Sequence, residues 1–243
     1  MSIQFSDTSG NTGILQQVRK MMRVDANQWP TVNVVNSCNN WLDTVAGYAI
    51  GTDNRFQWDD TNHSKLPIGT TNLVANQSDY SFLTDEQGNS IVTLTRIDLL
   101  TATGGSTYVQ LQEVDQKDYE GYGLDSLQTT TGTPQYYDKI ADNIIRLYPK
   151  PKTSVTAGLK FYFQRTPSYF VVTDTTKAPG VSPLLHRGFV IAAAYDGTLT
   201  LGLNNLQPLS VELQKEEKKM IQYFSDRNQD SDQQLTMESI SFR

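Results

Sequence analysis

The sequence predicts an α+β fold: a helical bundle drawn from both chain ends, with an antiparallel β-rich module inserted between them. Three observations carry this. Apolar residues recur at helical spacing over 14–22 and 34–49, and again over 184–203 and 209–224. The intervening stretch from about Phe56 to Arg165 changes to β-branched and alternating runs separated by turn residues. Within it, Leu159, Phe161 and Phe163 alternate with Lys160, Tyr162 and Gln164, the period of two of a half-buried antiparallel strand.

The first twelve residues are rich in Ser, Thr and Gly and read as a flexible N-terminal arm, or one ordered by a partner. Ile14, Leu15, Val18, Met21 and Met22 then mark a helix with Arg19, Lys20 and Arg23 between them. Pro30 opens a second helix with Thr31 as its N-cap. Val34, Cys38, Trp41, Leu42, Val45 and Ala49 form its buried stripe, and Asn33, Asn36, Asn40 and Asp43 lie on the other side. Ile91–Leu100 and Tyr108–Val114 read as strands, the latter with Val109 and Leu111 opposed to Gln110 and Gln112. Asp85-Glu86-Gln87-Gly88-Asn89 and Thr103-Gly104-Gly105-Ser106 are turns. Segment 117–134 reads as a long exposed loop that starts with a helical turn. A short strand follows it and is stopped by Pro149 and Pro151.

After a connection at 167–182, Ser182 and Pro183 are an N-cap and first-turn pair. Ala192, Ala193 and Ala194 permit close approach by a neighbouring element. Pro208 begins the last helix, on Leu209, Leu213, Met220, Ile221 and Phe224. The expected organisation is therefore an arm at 1–12, a helical body from 13–52 and 183–225, an inserted module at 53–182, and a C-terminal arm at 226–243. No internal repeat is visible.

Composition narrows the function. With 243 residues, 37% of them apolar, the chain can bury a core without disulfides or metal. Its one cysteine, Cys38, excludes an intramolecular disulfide. No stretch has the pattern of a secretion signal or the length of a membrane span, so no membrane anchor is expected. A formal net charge of −6 disfavours a conventional nucleic-acid binder.

Chemistry finds little support. His63 and His186 are the only histidines, and no G-x-S-x-G elbow, P-loop or G-x-G-x-x-G is present. Cys38 sits on an apolar stripe, where a small buried residue belongs. One Cys and two isolated His do not build a zinc site. No catalytic residue, metal or cofactor is assigned, and the protein is expected not to be an enzyme. The acids Asp59, Asp60, Asp118, Glu120 and Asp125, with Trp58, Tyr119 and Tyr122 nearby, are the residue types of a sugar-handling surface, so a carbohydrate-binding or carbohydrate-cleaving module is the alternative. The Lys215–Lys219 run, interrupted by Glu216 and Glu217, reads as a solvated helix face with internal ion pairs.

The order of elements carries more information than any single residue. A helix and a Trp-bearing helix precede the β-rich insert. Then come a G-x-P-x-Y-Y turn at Gly132–Tyr137, IRLYPKP at 145–151, an aromatic strand and an Ala-rich helix pair. This order resembles the head-to-tail adaptor (connector) proteins of tailed bacteriophages, over roughly 13–225 and most specifically over 132–205. The resemblance implies a structural protein of the virion neck, assembled in the host cytoplasm as a dodecameric ring beneath the portal protein. Genomic DNA would pass through its lumen without specific binding, and downstream tail or neck proteins would attach to it. A stopper or tail terminator is the closer rival, disfavoured by the helices at both ends. Met237, Ile240, Phe242 and Arg243 are the candidate partner-binding residues, on an arm that would order on a neighbouring subunit or on the portal.

Overall fold

A computed structural model describes residues 3–51, 58–115 and 123–229. The fold is α+β, and the chain divides into two compact units, one from residues 1–62 and 167–243, the other from residues 63–166.

The first unit holds α1 (Ile14–Met22), α2 (Thr31–Gly51), α4 (His186–Leu201) and α5 (Leu206–Gln229), while α3 (Gly123–Thr129) lies in the second. Helix α1 buries Ile14, Leu15, Val18 and Met22, one face at helical spacing. It ends at Arg23, whose left-handed backbone lets its N–H reach the Arg19 carbonyl. Helix α2 buries Val34, Val35, Cys38, Trp41, Leu42, Val45, Ala46 and Ala49. Thr31 is already helical, and its hydroxyl accepts a hydrogen bond from the Arg19 guanidinium rather than capping from outside.

Helix α4 is the centre of this unit. Gly188, Phe189, Val190, Ile191 and the three alanines 192–194 are all buried, so the helix is apolar nearly all round, as a helix enclosed by others must be. Its entry is the Pro183–Leu185 3₁₀ turn, where the Ser182 hydroxyl accepts from the Leu184 N–H. Gly188 is there for packing: a Cβ at that position would lie 2.9 Å from Nε1 of the Trp41 indole. Helix α5 packs more thinly, burying Leu209, Met220 and Phe224 with Leu213 half-buried. It continues to Gln229, four residues into the stretch expected as a C-terminal arm.

Two segments extend this core beyond the expected boundaries. The N-terminal stretch, expected as a flexible arm, is docked from residue 3. Phe5 is fully buried and stacks on Phe170 with ring centroids 5.2 Å apart. Its N–H donates to the Lys177 carbonyl and its carbonyl accepts from the Leu15 N–H. The insert is also narrower than 53–182, because Trp58, Phe170 and Val181 all join the helical core.

The second unit contains two four-stranded sheets that share one core. In the first, β1 (Ile68–Leu73), β10 (Val155–Arg165), β3 (Ile91–Leu100) and β4 (Tyr108–Gln110) are neighbours in that order, all antiparallel. The second runs β2 (Asp79–Ser81), β8 (Ile144–Tyr148), β7 (Tyr136–Ala141), β5 (Gln112–Glu113), with β5 and β7 parallel. Leu159, Phe161 and Phe163 of β10 enter the shared core with Ile97, Leu147 and Tyr137. A short parallel pair joins β6 (Thr131–Gly132) to β9 (Lys150–Pro151).

The run 108–114 is one alternating stretch in sequence and two strands in space. Leu111 is buried, but Val109 is 56% exposed, because β4 ends at Gln110 and the chain crosses to the other sheet. The loop expected at 117–134 contains α3 and β6 in its described part.

A buried ion pair closes one side of this unit. Arg165, at the end of β10, meets Asp85 of the 85–89 turn at 2.6 Å, with side chains 1% and 3% exposed. Burial works to raise the Asp85 carboxyl. Hydrogen bonds from the Asn89 side chain, from Arg165 and from the Asn89 and Gln87 backbone outweigh it and hold the group at about 2.

Candidate functional site

The residues with chemical potential are placed where they serve packing. His186 is almost fully buried at the start of α4. Its Nδ1 accepts from the Ile3 N–H at 3.0 Å, and its Nε2 stands 3.1 Å from the Val181 carbonyl, which fixes the Nε2–H tautomer. Both ring nitrogens are thus engaged in tying the N-terminal segment and the 181–185 turn to α4. Burial lowers the imidazole's proton affinity below its ordinary value, against the hydrogen bonds to Val181 and Pro179. The ring is therefore expected to stay neutral in the folded protein at mildly acid pH, with a midpoint in an NMR titration below the ~6.5 of free histidine. The stability this neutral form contributes is present above the unfolded value and is lost as pH falls through the folded one. A midpoint at or above the free value would contradict the arrangement.

His63 lies in the other unit, with Nε2 3.2 Å from the Thr166 carbonyl. Cys38 is fully buried on α2, and burial first, then Asp196, pushes its thiol well above the ordinary range. Asp196 itself, half-buried on α4, accepts from Ser37 of α2, and burial raises its carboxyl. Among the described residues no group of three His, Cys, Asp or Glu could hold a metal ion.

Of the acids and aromatics of the sugar-handling alternative, Asp60 is 1% exposed and accepts the Asn62 and Ser168 N–H groups. It occupies the space beside Gly180, where a Cβ would fall 1.5 Å from its Oδ1. Trp58 is buried in the helical core. Both fix the loops that leave and re-enter the helical unit and offer no open stacking face. Asp118, Tyr119, Glu120 and Tyr122 lie outside the described residues, as do Met237, Ile240, Phe242 and Arg243.

What the helical unit does present is surface. The Lys215–Lys219 face is laced as expected: Lys215 with Glu212, Lys219 with Glu216, and Arg187 of α4 with both acids. A more specific feature is the loop at 169–174, within the connection expected at 167–182. Asn39 of α2 clamps Phe170 by both backbone groups, its Oδ1 accepting at 2.9 Å and its Nδ2 donating at 3.0 Å. The Tyr169 hydroxyl donates to Asp43, and Asp174 accepts the Val171 N–H at 2.8 Å. Lys177 donates to the Tyr169 carbonyl and stands over the Phe170 ring. So held, the loop leaves Val171 and Val172 each 52% exposed. The signal in the sequence was the apolar run Tyr169–Val172 in a polar stretch, but nothing local told that its middle residue is buried and its end is not.

The described residues thus show a helical body drawn from both sides of a β insert, with His186, Cys38 and Asp60 engaged in packing. The chain belongs to the SU10 adaptor protein family, whose model matches residues 12–237, and thereby to the head-to-tail adaptors of tailed bacteriophages. Proteins of this family are structural components of the virion that join other parts of the phage neck. No curated protein matches the chain. Among the described residues no helix is long and apolar enough to cross a membrane.

Proposed function

We propose that the protein forms a ring of about twelve copies beneath the portal protein, around the channel through which the genome passes, and carries the platform on which downstream tail components assemble. The observation that supports this most is the extent of the family match, which spans both helix pairs and the whole β insert. A ring of twelve would carry a formal charge of roughly −72, a field that discourages adhesion of DNA and lets it slide. The helices supply the ring body, and the role is not enzymatic. The protein would be assembled in the host cytoplasm and reside in the neck of the virion.

The stretch beyond α5 serves in this reading as an arm that orders on a neighbouring subunit or on the portal. Met237, Ile240 and Phe242 enter pockets or add to a sheet edge, and Arg243 pairs with an acid.

Electron microscopy of the purified protein, with and without a portal ring, is the direct test. A twelve-fold annulus seated on the portal is the expected result, and a protein that stays monomeric and unattached in both conditions overturns the proposal. Deletion of 233–243 is expected to weaken attachment to purified portal rings. Undiminished attachment removes the arm from assembly.

A further inference from the structure

The two ends of α4 differ in a way that matches. At its start, Phe189 meets Phe170 edge-on at 6.4 Å, and this contact seats the clamped loop that exposes Val171 and Val172. At its far end, Met21, Met22, Arg23, Leu203, Asn204 and Asn205 line an open groove of about 400 Å³. Leu199 and Leu201, in the last turn of α4, add exposed apolar surface at that end. Phe189 and Leu201 are 12 helical residues apart, so the seat of the loop and the far end of α4 are separated by roughly 18 Å along the helix axis.

We propose that the 171–172 tip of one copy seats in the 21–23/203–205 groove of the next, a head-to-tail contact between copies of this chain. Three observations favour a second copy as the occupant. The tip is apolar and held in place before any contact, so little ordering cost is added on binding. The groove offers the apolar side chains of Met21, Met22 and half-buried Leu203, flanked by the polar groups of Arg23, Asn204 and Asn205. The flanks are complementary in charge: Asp43 and Asp174 stand beside the tip, with Lys177 against Asp174, and exposed Lys20 and Arg23 stand beside the groove. A contact between two different patches leaves one of each unused at the ends of any open chain, and a suitable rotation closes it into a ring. The inference names the surface that would build the ring of the proposed function, and it rests on that reading.

The test uses the full chain, with self-association followed by sedimentation and native mass spectrometry. A tip variant carrying V171D and V172D changes only exposed side chains. Leu203→Asp blocks the groove, and Arg23→Glu alters its rim without entering the core, which covers the case in which Leu203→Asp fails to fold. The tip variant and Leu203→Asp are each expected to weaken self-association by roughly 30-fold or more, the size of effect at a central contact residue, and Arg23→Glu, at the rim, by about 3–10-fold. Mixed one to one, the tip variant and a groove variant are expected to stop at dimers, since the pair retains one intact tip and one intact groove. A tip variant that assembles like the parent chain overturns the inference and leaves the adaptor reading standing. So does a mixture that stays monomeric, or a parent chain that does not self-associate in solution, because attachment to the portal ring is read separately.

Discussion

Asp85→Asn is expected to destabilise the β unit by about 3–5 kcal/mol, because it leaves the Arg165 guanidinium buried without its counter-charge. Both side chains are almost fully enclosed, so solvent cannot replace the lost carboxylate. Arg165 ends the strand that carries Phe161 and Phe163, so amide exchange in β10 is the place to read the loss. Adding Arg165→Met to Asp85→Asn is expected to recover much of it, since no unpaired charge then remains and the asparagine Oδ1 can still accept from the Gln87 and Asn89 N–H groups. The pair also sets an acid limb. Asp85 is held at about 2, below the ~3.9 of an unperturbed aspartate, so its contribution is complete above the unfolded value and fades as pH falls toward the folded one. In Asp85→Asn that part of the pH dependence should vanish. A variant with unchanged exchange and an unchanged acid limb would show that the pair is solvated.

Trp41→Ala should cost about 3–5 kcal/mol, the range for removing a large buried side chain whose surroundings close only partly. Its ring is 7% exposed and lies against the Gly188 backbone of α4. The indole Nε1 has no hydrogen-bond partner among the described residues, so Trp41→Phe should cost far less than Trp41→Ala. Gly188→Ala tests the same contact from the other side, since its methyl would press on the ring at 2.9–3.1 Å. Denaturant midpoints of the three variants rank the effects. An alanine variant as stable as the parent chain would remove Trp41 from the core.

Helices α1 and α2 and the strand at 155–165 were legible because each writes its buried face into a local period: Leu159, Phe161 and Phe163 need no knowledge of their partners to be placed inward. Phe5 was not legible. It is a single aromatic in a polar stretch, and what buries it is Phe170, 165 positions later. Asp85 read correctly as a turn residue, yet its ion pair with a residue 80 positions on is a tertiary fact. Val109 was misplaced because a period of two cannot reveal that the chain changes sheets at Leu111. The candidate surfaces were least legible of all. Exposure of Val171 and Val172 follows from the clamp that Asn39 places on Phe170, which no spacing rule encodes.

The discontinuity of the helical unit has a consequence for biosynthesis. Residues 63–166 are contiguous, so the β unit can close on itself while the rest of the chain is still being made. Helices α1 and α2 cannot close, because α4, the surface that covers their apolar stripes, lies on the far side of it. At ordinary elongation rates, the ribosome needs roughly 7–30 s to travel from residue 62 to the end of α4. For that interval the nascent chain carries Trp29, Trp41 and the valines of α2 uncovered, the most chaperone-dependent moment of its life. Released chains truncated after residue 182 should therefore hold a folded β unit tethered to an open, aggregation-prone helical pair.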